Sequence, residues 1–224
     1  MMTMSILVFM KHWNDSSKTR LVPAIGKQGA STVSKWLTQR CVRTVRHFTK
    51  TLQHNNDGIE KINLRFWCGG QCETGTKKLE EHFGKLNKEA FIRQDAGDLG
   101  ARLIYAVEDA FKEGSDRIVI VGTDIPGIDN AILAQAFQAL DKVDVVLGPA
   151  HDGGYYLIGM KRPIPQLFRN ISWSTSEVLQ QTLQAARGAG LVVKLLRPLQ
   201  DIDLPSDLDY WEQLSGISLH RLPN

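Results

Sequence analysis

The sequence predicts an α/β protein whose mostly parallel central sheet is flanked by helices. Three observations carry that prediction. Short apolar runs recur along the chain, and the clearest of them lack polar alternation, so they read as strands buried on both faces. Amphipathic segments, most of ten residues or more, separate the runs and supply enough chain for right-handed crossovers between parallel strands. No repeat, low-complexity tract or linker interrupts the 224 residues, so a single domain over 1–224 is expected, with its core from about 5 to 214.

The elements follow in order. Ser5–Met10 is the first strand, and an amphipathic helix from about Ser31 to Leu52 follows it. Its apolar stripe is Val33, Trp36, Leu37, Cys41, Val45, Phe48 and Leu52. Its other face carries Lys35, Arg40, Arg43, Arg46 and Lys50 without an acid and is expected to be solvated. Ile62–Trp67 is the second strand, Thr76–Phe83 a short helix, and Ala90–Arg93 a third strand leading to a helix over Leu99–Lys112. Arg117–Val121 is the most apolar strand. A helix near Asp129–Leu140 then precedes a strand over Val143–Leu147. Tyr155–Ile158 and Leu191–Leu195 are further strands, and Ser174–Arg187 and Pro205–Leu214 further helices.

Composition narrows the function classes. A net charge of +3 demands no nucleic-acid partner, and no apolar run approaches the twenty or so residues of a membrane span. Met1 to Phe9 runs into Lys11 without a signal-peptide pattern. Three cysteines, Cys41, Cys68 and Cys72, suit a reducing compartment, and the Cys68–Cys72 gap lacks a second pair to complete a zinc site. A cytoplasmic protein is expected. Neither a Walker loop nor G-x-G-x-x-G occurs, so ATPase and nicotinamide-dehydrogenase readings lose their main support.

In open α/β sheets ligands bind outside the carboxyl ends of the strands, and the chemically unusual residues stand there. After the first strand comes a polar loop ending in Lys18-Thr19-Arg20, two cations suited to phosphate and expected at the surface. Gly122-Thr123-Asp124-Ile125-Pro126 follows the most apolar strand. Asp124 thus stands at the sheet mouth, and Ile125 before Pro126 is held extended. A hard oxygen ligand there suits Mg²⁺ or Mn²⁺ shared with substrate phosphates. Asp98 is a plausible helix N-cap. The turn His151-Asp152-Gly153-Gly154 pairs an acid with two glycines that permit close backbone approach; a plain hairpin turn would use the same Asp-Gly dipeptide. Asp201 and Asp203 share one face of an extended segment, while Pro205 and Asp207 suit the first turn of the helix after it.

These motifs resemble the DUF2064 group, glycosyltransferase-A-like proteins often labelled radical-SAM/selenodomain-associated transferases. The resemblance rests on Lys18–Leu21, Gly97–Arg102, Gly122–Pro126, Gly148–Gly159 and Asp201–Asp203, which occur in the family's order between about Ser5 and Leu214. Phospholactate and molybdopterin guanylyltransferases are wider relatives. The resemblance implies a Rossmann-like fold of the glycosyltransferase-A type. It implies a divalent cation on Asp124 completed near Asp203, and phosphate contacts from Lys18 and Arg20. The first loop departs from the family pattern: Trp13, Asn14 and Asp15 replace its proline and glycine positions, and one residue is missing between Lys11 and Lys18. Leu204 stands where a capping threonine is usual.

The expected function is therefore transfer from a nucleoside-diphosphate-sugar to an unknown small-molecule acceptor, with Mg²⁺ or Mn²⁺ on Asp124 and Asp203. Lys18, Arg20, Gly97, Asp98, Arg102, Gly153 and Gly154 are expected to hold the nucleotide, and Asp152 to activate the acceptor. Nucleotidyl transfer with pyrophosphate release uses the same parts and stands as the alternative. A catalytically silent nucleotide-binding protein is the third reading.

Overall fold

The computed structural model describes residues 2–11, 18–55, 59–69, 75–84, 89–94 and 97–222. Their centre is a seven-stranded sheet in the order β3-β2-β1-β4-β6-β5-β7. The strands are β1 (Met2–Lys11), β2 (Ile59–Gly69), β3 (Glu89–Arg93), β4 (Arg117–Gly122), β5 (Val145–Pro149), β6 (Tyr155–Met160) and β7 (Val193–Leu195). Pairing is parallel throughout β3-β2-β1-β4 and between β5 and β7. β6 alone runs antiparallel, to both β4 and β5. The reason is chain length: only residues 150–154 join β5 to β6, too few for a crossover.

The helices are α1 (Val22–Asn55), α2 (Gly75–Phe83), α3 (Leu99–Lys112), α4 (Asn130–Ala139), α5 (Val178–Gly188) and α6 (Leu208–Ser215). On one face of the sheet, Cys41, Val45 and Phe48 of α1 and Ile132, Leu133 and Phe137 of α4 pack on Ile6, Val8, Leu64 and Val119. On the other, Leu103, Ala106 and Val107 of α3 pack on Leu7, Trp67 and Ile120. Burying both faces is what makes the strand runs continuously apolar. A satellite cluster joins Leu21, Val33 and Leu37 to Ile202, Leu208 and Trp211, pinning the last helix against the first.

Several boundaries differ from the sequence expectation. α1 begins nine residues earlier than Ser31 and is broken at Gly26, which leaves helical geometry at φ 67, ψ 173. The segment 174–177, expected to open α5, is a run of turns instead. There Ser174 takes a left-handed φ of 66, and Gln181 Oε1 accepts from the Ser172 N–H. The last strand shrinks to three residues and the fifth shifts two residues onward.

The basic face of α1 is less solvated than predicted. Arg46 forms a bidentate pair with Glu89 and also donates to Phe83 O and Gly84 O. Arg40 lies over the Trp36 ring and donates to Pro126 O. Cys41 and Cys68 are buried free thiols; Cys72 and the loop 12–17 lie outside the described residues. Among the described residues no helix is long and apolar enough to cross a membrane.

Candidate functional site

β1 sends its connection to one side of the sheet, towards β2, while β4 lies on its other side, so the strand order reverses between β1 and β4. A crevice at that point is the expected ligand position of an open α/β sheet. Lys18, on the loop after β1, and Asp124, just after β4, meet there. Lys18 Nζ lies 2.9 Å from Asp124 Oδ1 and 3.8 Å from Asp203 Oδ1. Arg20 Nη1 donates to Asp203 Oδ2 at 2.9 Å. Four residues distributed over almost two hundred positions therefore form one alternating cluster of two cations and two carboxylates.

Backbone contacts hold the cluster. The chain leaves β7 along the end of β5, where Leu199 N–H donates to Pro149 O and His151 N–H donates to Leu199 O. Ile202, fully buried against α1 and α6, then donates its N–H to Asp124 O at 3.1 Å. That bond ties the two aspartate segments together. Asp207 finishes the job, its Oδ2 accepting from Asp203 N–H at 2.9 Å and Leu204 N–H at 2.7 Å. Asp207 thereby supplies the helix-start bonding that Leu204, with no polar side chain, does not.

Exposure separates the four side chains. Asp124 is 62% exposed, Arg20 63% and Asp203 34%, whereas the Lys18 side chain is only 4% exposed. The expectation of two surface cations thus fails for Lys18. Its backbone is left-handed, φ 61 and ψ 39, and its side chain lies inward against the carboxylates. A single sequence does not reveal this, because the partners that bury the lysine arrive from β4 and from the segment before α6.

Other predicted site residues form separate groups. Asp98 caps α3, accepting from Ala101 N–H at 2.8 Å. Arg102 donates through Nε and Nη2 to Gly97 O at 2.9 and 2.7 Å. Gln94, not singled out from the sequence, fastens this group to the strand ends: its Nε2 donates to Trp67 O and Met10 O, and its Oε1 accepts from Arg102. Its position one residue past β3 was the available signal. Gly97, Asp98 and Arg102 thus sit by the carboxyl ends of β1, β2 and β3.

Asp152 and Gly154 form an Asx-type turn, with Gly154 N–H donating to Asp152 Oδ1 at 2.8 Å. Gly153 has φ 89, and a Cβ there would lie 2.3 Å from Ser176 O. The close approach that this glycine permits is therefore made by the protein's own chain. Asp152 touches neither Lys18 nor Arg20 within ion-pair distance, but its charge reaches the neighbouring Asp201. Burial first, and the Asp152 carboxylate second, push the Asp201 carboxyl up from its ordinary value; a backbone hydrogen bond and the Lys18 charge pull it down, while Asp207 adds to the rise.

Burial likewise pushes the Cys41 thiol up to about 12, with the Asp124 charge adding to it. Among the described residues no three His, Cys, Asp or Glu side chains converge as a metal-ligand set. A cation at Asp124 and Asp203 would complete its shell with phosphate oxygens and water, the arrangement usual for Mg²⁺.

Comparison with known proteins agrees with this frame. The family model described as "Uncharacterized protein conserved in bacteria (DUF2064)" matches residues 61–175. No curated protein matches at a significant level. Among solved structures, a provisionally assigned nucleotide-diphospho-sugar transferase from Desulfovibrio desulfuricans G20 is similar, with a TM-score of 0.83 and 28% identity over 99% of this chain and 92% of that one. The inositol-1-phosphate CTP transferase of T. maritima superposes with a TM-score of 0.57 at 16% identity, covering 96% of this chain and 95% of the other. The Rv0371C protein of Mycobacterium tuberculosis H37Rv, solved as a complex with manganese, superposes at 0.52 with 13% identity, covering 97% and 100%. The fold is that of the nucleotide-diphospho-sugar transferases.

Proposed function

The chain belongs to the DUF2064 family, and we propose that it is a cation-dependent transferase that takes a sugar from a nucleoside-diphosphate-sugar donor. One observation carries the reading: Lys18, Arg20, Asp124 and Asp203 converge where the strand order reverses. The residues fit a divalent cation on their own chemistry. Two carboxylates, one open to solvent, already face a positive charge, the ammonium of Lys18, in the place a metal would take. The manganese in the mycobacterial relative of the same fold supports the choice of Mg²⁺ or Mn²⁺.

In this reading Asp124 and Asp203 would hold the cation, which would supply positive charge to offset that of the departing diphosphate. Lys18 and Arg20 steady the same phosphates through charge-assisted hydrogen bonds. Gly97, Asp98 and Arg102 present the ends of β1 to β3 to the rest of the nucleotide. Asp152, on the turn closed by the Gly154 N–H and packed on Ser176 through Gly153, takes the proton of the acceptor. Because these charges are gathered at the site before substrate arrives, the catalysis is chiefly electrostatic. The domain works as one unit in a reducing, cytoplasmic setting.

Calorimetric titration of UDP, GDP and CDP with Mg²⁺ and then with EDTA tests the reading, and binding that requires the cation is the expected result. Equal affinities in both buffers refute it. A second reading, nucleotidyl transfer with pyrophosphate release, is favoured by the CTP-transferase relative of the same fold. The product separates the two: nucleoside diphosphate from a nucleotide-sugar, or pyrophosphate from a nucleoside triphosphate.

A further inference from the structure

Lys18 Nζ stands at the point that two carboxylates would offer a metal. It is 2.9 Å from Asp124 Oδ1 and 3.8 Å from Asp203 Oδ1, so it uses one oxygen of each. Arg20 takes the other oxygen of Asp203, Oδ2, and leaves Oδ1 to face Asp124 across the lysine. An ammonium and a divalent cation cannot share that position, because both need the same carboxylate oxygens and like charges a few ångströms apart repel. We propose that Lys18 is a resident counter-ion: a divalent cation must displace it, and the displaced ammonium then grips the donor's diphosphate. The inference deepens the cation-dependent reading above and rests on it.

Three features make the lysine a displaceable group rather than a permanent strut. Asp124 is largely open, so a cation reaches its carboxylate from solvent while Lys18 is still in place. The Lys18 side chain is 4% exposed, so its charge is tolerated there only while it is paired. Once a metal takes the carboxylates, the ammonium needs another anion, and a metal-bound diphosphate brings one. Finally, the left-handed backbone of Lys18 is unfavourable for a residue with a Cβ and is retained only while its surroundings impose it. Cation and nucleotide should therefore bind cooperatively. By reciprocity each raises the affinity of the other by the same factor, and Mn²⁺ alone binds poorly.

The test measures Mn²⁺ binding without nucleotide, from the electron paramagnetic resonance signal of the free ion. Wild type is compared with Lys18→Met, which keeps the buried stem and removes the charge, and with Arg20→Met. Lys18→Met should bind Mn²⁺ alone at least tenfold more tightly than wild type, and Arg20→Met should change that affinity much less. Wild type binding Mn²⁺ alone as tightly as Lys18→Met overturns the inference. No Mn²⁺ on any of the three, even with UDP, GDP or CDP present, overturns the metal reading itself and the inference with it. A measurement on wild type guards against a variant that fails to fold: acetylation of Lys18 by acetic anhydride, followed by mass spectrometry. Saturating Mn²⁺ should speed it several-fold, and an unchanged rate at saturation also overturns the inference.

Discussion

Gly153→Ala should destabilise the protein far more than Gly154→Ala, although the two glycines are neighbours in one turn. At Gly153 the backbone φ is +89, and a new Cβ would lie 2.3 Å from Ser176 O, 2.6 Å from Ser176 Cα and 2.7 Å from Ser176 C. All three are backbone atoms, so no side chain can swing aside. Placing alanine in a left-handed conformation costs about 1–2 kcal/mol, and forcing the two segments apart adds about 1–3 kcal/mol of overpacking. The 2.9 Å hydrogen bond from Leu179 N–H to Gly153 O is strained by the same movement. The expected loss is therefore about 2–5 kcal/mol, a large share of a typical domain's stability. A Cβ at Gly154 meets only the Asp152 carboxylate, at 3.1 Å, and should cost less than about 1 kcal/mol. Equilibrium unfolding in urea, with the slope checked for constancy, gives both numbers. A Gly153→Ala loss below about 1 kcal/mol, or equal losses in the two variants, refutes the packing argument.

Three further outcomes are expected. Asp203→Asn should weaken Mn²⁺ binding measured with nucleotide at least tenfold, yet leave stability in EDTA within about 1 kcal/mol, since its ion pair with Arg20 is part-exposed; calorimetry and thermal melts in EDTA check both halves. Arg20→Ala should lower nucleotide affinity by about 1–3 kcal/mol with little change in stability, whereas Lys18→Ala should also lower the melting temperature, because its charge and stem are buried. Cys41 and Cys68, both pushed up to about 12 by burial, should resist alkylation at pH 8 until the protein unfolds. The folded state keeps these protons longer than the unfolded chain, whose thiols ionise near pH 8.5. Stability is thus fully present below that pH and falls as pH rises towards 12, which denaturant melts at pH 8, 9 and 10 should reveal.

Hydrophobic periodicity carried most of the fold, because burial on both faces of a sheet leaves a mark on each strand separately. Ser5–Met10, Ile62–Trp67 and Arg117–Val121 are such marks, and each lies inside a strand of the structure. The stripe from Val33 to Phe48 likewise marks the buried face of α1, whose Cys41, Val45 and Phe48 pack on the sheet while Val33 and Leu37 pack on α6. Candidate site residues were legible for a related reason: in a parallel sheet the segments that follow the strands run along the ligand edge, which singles out Lys18, Asp124 and Asp203 without knowledge of their contacts.

What tertiary structure alone decided is everything that depends on which strand lies beside which. Periodicity is identical for parallel and antiparallel neighbours; the short connection 150–154 marks β6 as an antiparallel neighbour of β5, but its insertion beside β4 had no local signature. The same holds for Ser176 filling the space above Gly153, and for Arg46 turning from solvent to Glu89. Above all it holds for Lys18. Its side chain is an ordinary loop cation until β4 and the segment before α6 bring two carboxylates against it. A residue's type is local and can be read in one dimension; the burial and pairing of a charge are set by chain that returns from far away, and those only the folded molecule contains.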